Sequence, residues 1–385
     1  MARPPGKPSL APFGTTIFAE MTALATERGA VNLGQGFPDT DGPRAMLDAA
    51  KAAIDGGRNQ YPPGPGVPEL LDAIAGHQSR FYGLTVDPRS EVLVTVGATE
   101  AIAATILALC EPGDEVVTFE PYYDSYAASI ALAGAVRRTS VLRFPDFAVD
   151  EESLRAAFSS RTRMVLLNTP HNPTGKVFTR PELDLICSLA REFDAWVVTD
   201  EVYEHLVFDG AAHVPVATLP EMWDRTLTIS SSGKTFSATG WKVGWVSGPA
   251  AAVAAVRAVK QFLTFVGSGP FQPAVALALG LDDAVYAGLS SSLEAKRDLL
   301  VAGLQAAGLE VSVPGGTYFV VADAAPLGAV DALAFCRELP GRAGVVGVPV
   351  SVFHDDVDAA RTLVRFAFCK KDEVLREAVE RLSRL

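Results

Sequence analysis

Runs rich in β-branched residues alternate along this chain with helical runs of roughly 10–15 residues, and that alternation constrains the fold more than any other feature. Glu91 to Val96 reads as a buried strand and passes through Gly97-Ala98-Thr99 into a helical run, Glu100 to Cys110, stopped by Pro112-Gly113. Glu115 to Phe119, Met164 to Asn168, Ala195 to Thr199 and Thr226 to Ser230 read as further strands, with a helix near Pro181 to Phe193 and a strand at Lys242 to Ser247. Successive strands with intervening helices cannot pair as hairpins. They predict an α/β fold with a mainly parallel sheet and helices on both faces.

From about Gln272 the texture changes to a long helix around Asp283 to Ala306, strands at Tyr318 to Ala322 and Val364 to Cys369, and a charged closing helix. The expected division is therefore a large domain, 44–271, and a smaller α+β domain assembled from 1–43 and 272–385. The stretch up to Pro43 shows no strong strand–helix pattern and is expected to pack against another part of the molecule. With 385 residues the chain can bury a full core. Its 33 basic and 45 acidic side chains give a net charge of −12, which disfavours nucleic acid or an anionic membrane as partner. Cys110, Cys187, Cys336 and Cys369 lie far apart, and the start, with only Arg3 and Lys7 as positive charges, has no apolar stretch behind it. A cytoplasmic protein without membrane spans is expected.

Two glycine-rich segments fail as nucleotide sites. Gly34-Gln35-Gly36 starts like a dinucleotide loop, but Asp39 stands where the third glycine belongs and Pro38 would break the helix. Gly233-Lys234-Thr235 resembles the end of a P-loop, yet Thr228 occupies the position of the required first glycine. The five histidines show no HxxxH or HExxH spacing, so no metal is expected.

Polar residues do collect at the carboxyl ends of the expected strands, where open α/β sheets bind ligands. Asp200 follows Ala195 to Thr199, with Tyr203 three residues on. Asn172 follows Met164 to Asn168, and Lys234 lies just beyond Thr226 to Ser230. Gly97-Ala98-Thr99 opens a helix whose free N–H groups suit a phosphate. Taken singly, Lys234 reads as a solvated loop lysine and Asp200 as a turn acid; together they describe a place where one ligand could touch several groups.

Asn172-Pro-x-Gly175, Thr199-Asp200-Glu-Val-Tyr203, Ser231-x-x-Lys234 and Gly240-Trp-Lys-Val-Gly-Trp245 resemble, in order and over nearly the whole chain, the class I aminotransferases of the fold type I pyridoxal-phosphate group. Lys234 to Trp245 is like the kynurenine aminotransferase and cysteine-conjugate β-lyase branch. Asn59 to Gly66 and Gly97 to Ile102 are closer to actinobacterial N-succinyldiaminopimelate aminotransferases. The resemblance implies a seven-stranded sheet, pyridoxal 5'-phosphate as cofactor and a homodimer. It makes Lys234 the amine that bonds reversibly to the cofactor and moves the proton. Asp200 would support the protonated ring nitrogen, Tyr203 and Asn172 its phenolic oxygen. Ala98, Thr99, Ser231 and Lys242 would hold the phosphate. Tyr123 is expected to stack on the ring, with Tyr122 its rival, and Tyr61 to reach the partner subunit's cofactor. Arg365 would grip the substrate α-carboxylate through two parallel hydrogen bonds, with Gly36 approaching it by its backbone and Phe18 closing over the side chain.

The implied activity moves an amino group from an L-amino acid to a 2-oxo acid, with 2-oxoglutarate the expected acceptor, in a ping-pong cycle. N-succinyl-LL-2,6-diaminopimelate, kynurenine, glutamine, methionine and aromatic amino acids are the candidate donors. Cysteine-S-conjugate β-lyase activity is the alternative from the same site. A ligand-sensing transcription regulator would need a basic module before Asn32, where there is no room for one.

Overall fold

The computed structural model describes residues 7–14 and 16–385, so Arg3 and the residues around it lie outside the described residues. The strands in chain order are β1 (Val31–Asn32), β2 (Val92–Val96), β3 (Glu115–Glu120), β4 (Val136–Val141), β5 (Thr162–Asn168), β6 (Trp196–Asp200), β7 (Thr226–Ser231) and β8 (Val243–Ser247). After them come β9 (Glu310–Ser312), β10 (Phe319–Asp323), β11 (Val345–Val346), β12 (Val348–Pro349) and β13 (Leu363–Ala367).

Seven strands form the main sheet in the spatial order β2-β8-β7-β6-β5-β3-β4. β7, β6, β5, β3 and β4 pair in parallel; β8 alone runs against both neighbours. Parallel neighbours need long crossovers, and helices such as Gly97–Leu109 and Arg180–Glu192 supply them on both faces. β3, β7 and β8 are consequently buried along their whole length. β4 is the strand that sequence periodicity does not disclose. It lies at the sheet edge, and its Arg137-Arg138 pair interrupts the apolar run while one face meets solvent.

A second, antiparallel sheet has the order β12-β13-β10-β9, and β1 pairs in parallel with β11. Residues 31–32 thus join the C-terminal part of the chain. Just before them lies a helix, Ile17–Arg28, ended by Gly29 in the left-handed conformation (φ 58°). Only Met21 and Ala25 of this helix are buried, which explains why its apolar stripe is too narrow to read. The helix Phe271–Leu279 begins where the small domain was expected to start. It packs instead on the helices Arg44–Asp55 and Pro68–Tyr82, sharing a core with Met46, Leu70 and Ile74. Among the described residues no single helix is long and apolar enough to cross a membrane.

Candidate active site

Three neighbouring parallel strands end at one place. In register, Asn168 at the end of β5 stands beside Asp200 at the end of β6, and Asp200 beside Ile229 of β7. β7 continues to Ser231 and then into the short helix Ser232–Thr235, which turns Lys234 back over the strand ends. A cleft of about 330 Å³ opens there, and Asn172, Asp200, Tyr203, Ser231 and Lys234 all line it.

Asp200 is buried, its carboxylate accepting from the Tyr126 hydroxyl at 2.5 Å, while Asn168 Nδ2 donates to its backbone carbonyl at 2.7 Å. Burial raises its pKa to about 6, against the lowering effect of the Tyr126 hydrogen bond and the nearby Lys234 charge. For Lys234 burial works the other way. Its pKa is drawn down to about 8, although Cys369 and Asp200 oppose the shift. Its Nζ donates to the Tyr318 hydroxyl at 3.0 Å, and Tyr318 donates in turn to the Gly36 carbonyl at 2.7 Å. The Tyr203 ring stands edge-on to Tyr318 (5.3 Å, 89°), and burial holds its phenol well above the usual range.

On the opposite wall the helix Gly97–Leu109 points its N-terminus into the cleft, bringing Ala98 and Thr99 to the lining beside Lys242. The three parts are in close contact. A Cβ added at Gly97 (φ +73°) would lie 3.1 Å from Lys242 Nζ, and one at Gly244 would meet the Gly97 carbonyl carbon at 2.6 Å and the Ala98 nitrogen at 2.8 Å. The helix start is held further by Glu100, whose carboxylate accepts from Val96 N–H at 2.6 Å. Free N–H groups plus a cation make this wall a place for a phosphate-sized anion.

Of the two adjacent tyrosines, Tyr123 lines the cleft, next to Tyr126 (5.6 Å, 87°), with its pKa pushed up to about 12 by burial. Tyr122 is turned away, donating to Asp355 at 2.8 Å beneath the Arg137 guanidinium.

Arg365 comes from β13 and reaches the cleft from the second sheet. Its Nη1 donates to Asn172 Oδ1 and its Nη2 to the Gly34 carbonyl, both at 3.0 Å, while Nε is buried without a partner among the described residues. The rings of Phe319 (4.1 Å), Phe18 (5.2 Å) and Phe353 (5.4 Å) surround it. Burial lowers its pKa to about 10, which leaves it charged at neutral pH. Gly36 and Phe18 line the same cleft. A Cβ at Gly36 would come within 2.4 Å of the Phe319 ring, so no larger residue fits.

Of the residues singled out from sequence, Tyr61 lies outside the cleft, as the rival Tyr122 does: Tyr61 is 81% exposed, its ring against Phe265 (5.4 Å, 76°). Tyr126, Tyr318 and Phe319 are the residues that sequence reasoning missed. Tyr126, three residues after Tyr123 and so on the same helical face, carried a usable signal; Tyr318 carried only the preceding glycine pair, Gly315-Gly316. The fold also brings together His77, Glu204 and His205, whose spacing in sequence hid the cluster. His77 Nε2 and His205 Nε2 share a hydrogen bond at 2.6 Å, and Tyr82 and Ser230 both donate to the Glu204 carboxylate, while His77 Nδ1 is buried with no partner among the described residues.

Residues 28–382 match the family described as aminotransferase class I and II. The chain is 54% identical to the Mycobacterium tuberculosis protein named probable N-succinyldiaminopimelate aminotransferase DapC, over 97% of each chain. It is 42% identical to the methionine aminotransferase of Escherichia coli, over 97% of this chain and 96% of that one. The solved structure of N-succinyldiaminopimelate aminotransferase from Mycobacterium tuberculosis superposes with a TM-score of 0.96 at 55% identity, covering 98% of this chain and 99% of that one.

Proposed function

The chain belongs to the class I and II aminotransferases and transfers amino groups, and from that membership we propose that the cleft holds pyridoxal 5'-phosphate and takes N-succinyl-LL-2,6-diaminopimelate as donor and 2-oxoglutarate as acceptor. The donor set fits such a cofactor. At one end are the helix N-terminus at Ala98 and Thr99, the Ser231 hydroxyl and the Lys242 ammonium, suited to a phosphate; at the other is the buried Asp200 carboxyl, suited to a protonated ring nitrogen. Tyr203 and Asn172 would face the ring's phenolic oxygen, and Tyr123 its face. When bound, the cofactor supplies an aldehyde for the substrate amine and a ring that accepts the electrons of the Cα–H bond.

The remaining work falls to the chain. Burial draws the Lys234 pKa down to about 8, so a fraction of Nζ is unprotonated at neutral pH; it would take the proton from the donor's Cα and, in the second half-reaction, deliver one to the acceptor's Cα, with the bound cofactor as the store between them. Arg365 stays charged and offers a planar fork to the α-carboxylate, against a backbone wall at Gly36. Tyr126 fixes the orientation of the Asp200 carboxylate. The aromatic rings of Phe18, Phe319 and Phe353 exclude water around Arg365 and strengthen its hold on an anion. Donor and acceptor would use this one cleft in turn.

The observation that carries the reading is the meeting of Lys234, Asp200 and Arg365, contributed by two sheets, in a single cleft. A donor panel tests the substrate. Cofactor-saturated protein given 2-oxoglutarate should form glutamate fastest with the succinylated diamino acid. A higher kcat/KM for methionine or kynurenine would overturn that choice, and pyruvate released from a cysteine conjugate without any acceptor would favour the lyase reading.

A further inference from the structure

We propose that Tyr318 is a positioning residue, whose hydroxyl accepts an N–H of Lys234 and so leaves the nitrogen lone pair turned toward the cleft. The inference rests on Lys234 being the reactive amine. Tyr318 does not line the cleft; it is 1% exposed, immediately before β10, and acts from behind Lys234. A phenol has one proton to give, and that of Tyr318 is committed to the Gly36 carbonyl, which can only accept. At 3.0 Å from Lys234 Nζ the oxygen therefore presents a lone pair. A neutral amine has two N–H bonds and one lone pair. Giving one N–H to Tyr318 leaves the lone pair uncapped, whereas a tyrosine donating to nitrogen would block the orbital that must take up a proton. Among the described residues this is the hydrogen bond that Nζ makes.

The same hydroxyl ties the amine to the segment expected to meet the substrate carboxylate. Three donors pin that segment by its carbonyls: Arg365 at Gly34, Tyr318 at Gly36 and Lys370 at Phe37. The Tyr203 and Phe319 rings, at 5.3 and 4.8 Å, hold the phenol in place. The distance between the amine and the carboxylate-binding backbone is thus set through one side chain.

Tyr318→Phe removes the oxygen and keeps the ring. On the full-length chain freed of cofactor, the pH dependence of Lys234 acetylation by acetic anhydride is followed by peptide mass mapping, with the exposed Lys371, far along the chain at the start of the closing helix, as internal reference. Asp200, Arg365, Lys242, Cys369 and Tyr203, the other ionisable groups acting on Nζ, are the same in both proteins. Loss of an acceptor costs the ammonium more than the amine, so the midpoint should move down by about one pH unit. In the cofactor-saturated enzyme kcat should fall about tenfold with the donor KM little changed. An unchanged midpoint and kcat in a folded variant overturns the proposal, and so does a raised KM alone, which would mean that Tyr318 merely supports Gly36. If Tyr318→Phe does not fold, 3-fluorotyrosine at position 318 keeps the shape and weakens the acceptor, and the same downward shift is required. Borohydride reduction of the loaded wild-type protein separates the two claims: cofactor found on Lys234 beside an indistinguishable variant sinks only the role of Tyr318, and cofactor absent from Lys234 sinks the reading beneath it.

Discussion

Lys234 and Asp200 carry ionisation equilibria that water would not give them, and each makes the cofactor-free chain respond to pH in its own direction. Lys234 titrates near 8 when folded against 10.5 when exposed, so below about pH 8 the fold holds a buried cation at a cost on the order of 3 kcal/mol. Lys234→Met should therefore raise the melting temperature of the cofactor-free protein at pH 7, and the gain should vanish above about pH 10.5. Asp200 has the opposite sense. Its folded pKa is raised from 3.8 to about 6, so the stabilisation is full below pH 3.8 and is lost as pH rises through 6, an effect of on the order of 3 kcal/mol. Asp200→Asn should remove that loss, visible as a smaller difference in denaturation midpoint between pH 4.5 and pH 7 than in wild type. The sequence pointed to both residues because each follows a readable strand. It could not point to Tyr126 as the partner of Asp200, 74 positions away, because a long-range side-chain contact leaves no local periodicity.

Elements place these residues, and the tightest junction lies between the helix Gly97–Leu109 and β8. Gly244 belongs to β8 and its missing side chain lets the Gly97-Ala98 backbone come within contact, setting the height of the helix N-terminus. Gly244→Ala should push that N-terminus away. We expect a loss of roughly 1–3 kcal/mol in stability together with weaker cofactor binding, measurable by chemical denaturation and by spectroscopic titration. If affinity is retained, the phosphate is held elsewhere. Strands with apolar runs, such as Met164 to Asn168 and Thr226 to Ser230, were legible because both faces are buried. β4 and the helix Ile17–Arg28 were not, since each buries a narrow face and the rest of its sequence answers to solvent.

On the scale of the whole molecule, the cleft draws on both sheets, and we propose a division into a large unit that begins at 44 and a smaller one from the two chain ends, with the boundary moved from 271 to the end of the helix Phe271–Leu279, because that helix packs on Met46, Leu70 and Ile74 of the large unit. We propose a homodimer in which the exposed Tyr61 serves the neighbouring subunit. Mixing Lys234→Ala and Tyr61→Ala chains tests this: heterodimers should recover about half the wild-type activity if Tyr61 acts across the interface, since one of two sites is then intact, and none if it acts within its own chain. The net charge of −12 makes the few cations at the cleft, Lys234, Lys242 and Arg365, stand out as the groups placed for anions. The central claim is that Lys234 bonds the cofactor, and it is tested most directly by loading the full-length protein with pyridoxal phosphate, reducing with borohydride and mapping the modified peptide. The account requires the cofactor's mass on Lys234 and its absence from Lys242 and the exposed Lys371; modification of another lysine, or of none, would contradict it.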